Sequence, residues 1–165
     1  DFPLGSLVSS ALILGDLHAR VSHWFDQATW TSVWSDTLIG SAASASYNTV
    51  QYPVTVSNRG ALQERWLILF TNTTTVNVIG ETIGQILTAV AIANVIAPIN
   101  PATGVPYFSI QPAGWGAGWS ARNLVRFNTV AANSPVWVAR TVLQGPPAES
   151  SDQFILGIRG DVDTP

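Results

Sequence analysis

From Thr82 to Ala121 the chain carries no charged side chain. Such a stretch has few fates: a membrane span, a buried helix, or strands and turns packed into a β-rich core. Its apolar heart, Ile83 to Ile96, is interrupted by Gly84, Gln85 and Asn94, with Pro98 just beyond. A span needs about 20 apolar residues in succession, so no stable membrane crossing is expected. Ile83, Ile86, Leu87 and Val90 also fit a helical period. The β-branched Ile92, Val95 and Ile96 tip the reading to a strand.

Period-2 alternation supports the β choice elsewhere. Tyr47 to Val56 places Val50, Tyr52, Val54 and Val56 on one face, the pattern of a half-buried strand, and Asn58-Arg59-Gly60 follows as a turn. Leu62 to Phe70 alternates again through Trp66 and Ile68, with Glu64 as the one interruption. The polar run Thr71 to Thr75 turns the chain into Val76 to Ile79, a hairpin. After the Pro/Gly turn at 99–104 we expect a short strand, Tyr107 to Ile110, then a glycine-rich loop from Gln111 to Ser120. Leu124 to Val130, Val136 to Leu143 and Phe154 to Val162 complete the set. Near the start, Leu7 to Leu14 and Leu17 to Phe25 suit a hairpin about Gly15-Asp16, and Trp30 to Trp34 a further strand. The sequence thus predicts a mainly β protein: an antiparallel β-sandwich or jelly-roll-like domain over 47–165. Residues 1–46 read as an N-terminal arm or partial strand layer, joined through the small residues Ser41 to Ser46.

Composition narrows the function. Hydrophobic residues make up 47% and charged residues 10%, against about 25% charged in an ordinary domain. That excludes a disordered chain. A net charge of -3 leaves no electrostatic footprint for nucleic acid. Every one of the seven cations is arginine, the cation that suits interfaces, where lysine is depleted. With no cysteine, thiol redox chemistry, thiolate zinc and disulfides are excluded. Methionine is absent as well, and a start at Asp1 suits a processed product or a segment of a longer polypeptide.

Catalytic patterns are weak. His18 and His23, beside Asp16 and Asp26, are an odd number of residues apart, so on a strand they face opposite sides. No Gly-x-Ser-x-Gly elbow occurs, and Glu64, Glu81 and Glu149 have no spacing that announces a carboxylate pair. Gly114-Trp115-Gly116-Ala117-Gly118 fits neither nucleotide-loop template, and a P-loop needs a lysine. Asp161 and Asp163 are too few for a calcium loop, and Asn72-Thr73-Thr74 reads as a chance sequon. We expect no enzyme activity, no metal and no cofactor. Seven tryptophans invite another reading. Trp66 and Trp137 sit in alternating strands and read as core. Trp30 with Trp34, and Trp115 with Trp119, are candidate aromatic platforms for a protein interface or a sugar.

The motifs Asn100-Pro101-Ala102-Thr103-Gly104-Val105-Pro106-Tyr107-Phe108, Gly114 to Trp119, Asn123 to Thr129, Pro135 to Gly145 and Ile158 to Asp163 point further. Together they resemble uncharacterised structural proteins of long-tailed double-stranded DNA bacteriophages, found among tail and baseplate genes. The resemblance runs from about Trp30 to Pro165, with Asp163-Thr164-Pro165 as a native C-terminus, and it transfers no catalytic residue. It implies a virion protein of the tail tip or baseplate. Strand edges and aromatic loops would pack against copies of the chain and neighbouring tail proteins. Trp30, Trp34, Trp115, Trp119, Arg122 and Arg126 are the interface candidates, the last four near one contact. The rival reading is a carbohydrate-binding or host-receptor-binding module that uses exposed tryptophans on a surface glycan.

Overall fold

Glu64–Phe70 forms the central strand of a five-stranded antiparallel sheet in the computed structural model, which describes residues 17–132. The strands are β1 (Arg20–Gln27), β2 (Glu64–Phe70), β3 (Thr75–Gly80), β4 (Gly84–Ala91) and β5 (Leu124–Val130), in the spatial order β1-β5-β2-β3-β4. The chain divides into Asp1–Ser134 and Pro135–Pro165, and every described residue lies in the first unit. The protein is mainly β, as its alternation predicts. Among the described residues no helix is long and apolar enough to cross a membrane, and the helical content is one 3-10 turn, Pro112–Gly114.

Cross-strand register sorts the side chains into two faces. Trp66 lies opposite Phe127, Ile68 lies between Val125 and Val78, and Phe70 pairs with Val76. All of these are buried, and burying a side chain of this kind stabilises by roughly 1.5–3 kcal/mol. At the end of this face Trp66 donates its indole N–H to Thr129 Oγ1 at 2.8 Å, and Thr129 donates onward to the Leu62 carbonyl at 2.7 Å. Glu64 also points inward, 4% exposed, with its carboxylate taken by the main-chain N–H groups of Arg65 and Thr82 and by the Thr82 hydroxyl. That resolves the one interruption in the alternation. The hairpin tip is closed by Asn72, whose Oδ1 accepts from the N–H groups of Thr74 and Thr75, so the sequon residue has a turn-forming role.

A second sheet is not what covers this face, so a sandwich is not seen among the described residues. Ala45, Tyr47, Ile96, Tyr107, Phe108, Ile110 and Trp119 close the core from loop segments. Isolated bridges join those segments: Tyr47 to Trp115, Thr55 to Ser109, Ile96 to Ile110 and Ile99 to Pro106. The predicted strand Tyr47 to Val56 is one of them. Asn48 turns the chain, accepting from Gln51 N–H through Oδ1 and from Tyr52 N–H through its carbonyl, and Pro53 lacks the donor a ladder needs. Tyr107 to Ile110 likewise contributes single bridges rather than a strand. Trp30 to Trp34 is loop, with Ser32 at φ 61°. Ser41 to Ser46 is no spacer: Ala43 N–H bonds the Asp26 carbonyl and Ala45 is buried. The predicted arm therefore joins the main sheet through β1. Leu7 to Leu14, Val136 to Leu143, Phe154 to Val162, Trp137, Asp161 and Asp163 lie outside the described residues.

Candidate interaction surface

On the opposite face of the sheet, register lines up Phe25 and Gln27 of β1, Leu124, Arg126 and Asn128 of β5, and Arg65 and Leu67 of β2. The segment between Ala28 and Ser41 covers this end. Its ends meet, with Ala28 N–H donating to the Ser41 carbonyl at 2.9 Å and Gln27 bridged to Ala42. A loop that closes on itself in this way and packs on its own side chains is an Ω-loop. Between its ends no backbone–backbone hydrogen bond holds it. Side chains from the sheet do so instead.

Arg126 is the first of these pins. It is 3% exposed. Its Nε donates to Gln27 Oε1, one terminal nitrogen to the Ser35 carbonyl and the other to the Thr37 carbonyl, each at 2.8 Å. The guanidinium also lies 5.3 Å from the centre of the Phe25 ring, within cation–π range. No carboxylate touches it, and burial pushes its pKa below the usual arginine range. The fork geometry of arginine is what lets one side chain gather three acceptors from two segments.

Asp36 is the second pin. Its carboxylate accepts from Arg65 Nε and Nη2 at 2.8 and 3.2 Å, and from Asn128 Nδ2 at 2.8 Å. Arg65 also reaches Glu81 at 2.8 Å. The hydrogen bonds from Arg65 and then Asn128 hold the Asp36 carboxyl well below the usual carboxylate range, and the same carboxylate raises Arg65. These groups are solvent-exposed, so their value is geometric more than energetic. A third tie runs from Asn123 Nδ2 to the Ala28 carbonyl at 2.9 Å.

The loop's exposed positions mix polar residues, Thr29, Ser32 and Thr37 among them, with apolar ones. Trp30 and Trp34 are half-buried and meet edge to face, with centroids 5.0 Å apart and planes at 65°. Val33 and Leu38 are exposed, at 47% and 39%. Asp36 is the loop's one charged residue, and Arg65 neutralises it.

The other candidates lie elsewhere. Trp119 is 4% exposed and stacks on Phe70 at 4.5 Å, while Trp115 is half-buried edge-on to Tyr47, Phe70 and Trp119. Both indoles cap the chain's own core, because glycines at 114 and 116 let the backbone lie close against Tyr47 and Ser46. Trp119 is closed off from solvent, while Trp115 stays half-exposed. Arg126 sits on the opposite face of the sheet from Phe70 and its Trp119 partner, so Arg126 is apart from the two tryptophans expected near the same contact. Arg122 is exposed on a turn at φ 78°, and its main-chain N–H donates to the Phe70 carbonyl.

His23 occupies a bulge in β1 at φ 55°, which voids the parity argument that set it opposite His18. It borders a cleft of about 310 Å³ lined by Val21, Trp24, Pro53 and Val54, where it is the one titratable side chain. A smaller cleft of about 160 Å³ holds Asp36, Glu64, Arg65 and Glu81, whose polar atoms bond one another or Thr82. Among the described residues no cluster of acids and histidines is built to hold a metal ion. Sequence reasoning missed Asp36 and Arg65. Their signal is faint: a lone charge in an otherwise uncharged aromatic segment. The chain matches no protein-family model, no curated protein and no solved structure.

Proposed function

We propose that this chain is a non-enzymatic structural protein of a bacteriophage virion, in the tail tip or baseplate, and that it works by packing against copies of itself and neighbouring tail proteins. The observation that supports the assembly half is the loop 28–41: a charge-neutral segment with an aromatic pair and the exposed Val33 and Leu38, tied down by side chains of the sheet. Such a surface can face its own copy without like-charge repulsion, and tryptophan is the residue most enriched at interface hot spots. The virion half rests on the motif resemblance between Trp30 and Pro165.

Strand edges are poor contacts in this reading. Both outer strands are bulged at a residue with left-handed φ, His23 in β1 and Ala89 (φ 51°) in β4, and bulges are a common device against edge pairing. Asn77 Oδ1 occupies the Ala89 N–H as well. Contact through loop side chains is left as the favoured mode.

Sedimentation equilibrium of the full chain tests this. The wild type is expected to self-associate and the double variant Trp30→Ser/Trp34→Ser to sediment as a folded monomer. A wild type that stays monomeric at high concentration, or a double variant that still assembles, overturns it. The half-exposed indoles also suit a glycan- or receptor-binding module, although rings at 65° share no flat face for one sugar. Glycan binding lost in Trp34→Ala would favour that reading.

A further inference from the structure

The geometry points to Arg126 as the positioning residue of the docking loop: a buried guanidinium that fixes Trp30 and Trp34 in the pose that a second copy of this chain meets. The inference rests on the reading of loop 28–41 as a contact surface and goes beyond it, because Arg126 is itself only 3% exposed. Three observations carry it. The loop's interior main chain has no backbone–backbone hydrogen bond of its own. Arg126 gives two of its three 2.8 Å bonds to carbonyls of that main chain, at Ser35 and Thr37, directly after Trp34. The third bond, to Gln27, anchors the guanidinium to β1, which leads into the loop.

Burying a cation that makes no ion pair with a carboxylate carries a desolvation cost. The distinctive output of Arg126 is order. Arginine's fork collects carbonyls that would otherwise turn to water, and it fixes a surface before a partner arrives, which lowers the entropy cost of binding. Lysine at the same position would keep the charge but could not span the three acceptors.

The test uses the full-length chain and two readouts that a merely structural arginine would not move together. Edge-to-face indoles couple excitonically in far-ultraviolet circular dichroism, and the part of that couplet lost in Trp34→Phe belongs to the Trp30–Trp34 pair. In Arg126→Lys this part is expected to fall sharply, with the β-sheet signal retained and self-association about tenfold weaker. If Arg126→Lys does not fold, Gln27→Leu takes its place. It removes one of the three acceptors and also Gln27's own 2.7 Å bond to the Thr29 carbonyl, so it is read against Arg126→Met, which removes all three donors, keeps the Gln27–Thr29 bond and should move both readouts at least as far. A folded variant that loses thermal stability yet keeps couplet and association overturns the inference. Unchanged association in Trp30→Ser/Trp34→Ser defeats the docking reading instead, and the couplet alone then decides whether Arg126 orders the loop.

Discussion

Two tryptophan pairs share one spacing and nearly one ring geometry, and they rest on different supports. Trp30–Trp34 and Trp115–Trp119 both sit four residues apart, in loops, and both meet edge to face, at 5.0 and 5.6 Å. Trp119 lies flat on Phe70 inside the core, whereas Trp30 and Trp34 lie on a loop held over the far face of the sheet. Spacing sets which rings can touch. What lies beneath them sets whether the pair closes a core or faces outward. Beneath Trp115 and Trp119 are aromatic rings. Beneath the loop of Trp30 and Trp34 are the guanidiniums of Arg126 and Arg65.

The contrast is sharpest in stability. Trp119→Ala should cost about 3–5 kcal/mol, the usual range for emptying a large buried aromatic site. Trp30→Ala should cost less, about 1–2 kcal/mol, from the edge-to-face ring pair and the half-buried part of the indole. Urea unfolding with an unchanged slope measures both, and equal losses would break the comparison.

Backbone tightness supplies a second, smaller difference. At Gly114 an added Cβ would run into the Tyr47 ring, so Gly114→Ala should cost about 1–3 kcal/mol through overpacking. Gly40, at the end of the outer loop, has φ 89° with its nearest neighbour, Thr31 Cγ2, at an ordinary 3.4 Å. Gly40→Ala therefore meets only the left-handed backbone penalty, about 1 kcal/mol. Thermal melts rank the two, and a larger loss at Gly40 would mean that the outer loop is the tighter-packed region.

The smallest effect is in acid. Asp26, half-buried under Trp24 and Tyr47, has its carboxyl pushed up by burial, against the lowering hydrogen bonds from Trp24 and the Tyr47 N–H. Its ionised form therefore costs stability at neutral pH, and that cost fades as pH falls through the raised value. Asp36 has the opposite sign. Its contribution is complete above the ordinary aspartate value of 3.8 and is lost as pH falls through its depressed value. Melting temperature followed against pH should show Asp36→Asn falling below wild type at neutral pH and converging with it only in strong acid. A gap that widens on acidification would contradict the Asp36–Arg65 pin.

Much of the sheet is legible in the sequence. The alternation from Trp66 to Phe70, the polar turn at Asn72 and the return through Val76 and Val78 fall where period-2 reasoning puts them. So does the strand from Leu124 to Val130, whereas β4 ends at Ala91 and the β-branched Ile92, Val95 and Ile96 that argued for a strand there lie beyond it. Tyr47 to Val56 alternates as well as any of these and still does not pair as a strand. Its periodicity records which side chains face inward, but Asn48 and Pro53 divert the main-chain hydrogen bonds on which a ladder depends. Of the surface loop, the tryptophans are visible in the sequence and their anchors are not. Arg126 and the Ser35 and Thr37 carbonyls are far apart along the chain, and no local pattern links them.

The sequence by itself determined the β class, the hairpin and the supply of arginine and tryptophan, because period, turn chemistry and composition are local properties. Only the tertiary structure decided that loops, not a second sheet, close the described core, that Trp119 turns inward, and that Arg126 serves the loop across the sheet. Those outcomes depend on which groups satisfy which distant donors and acceptors once water is excluded. That competition is settled only when the whole chain has packed.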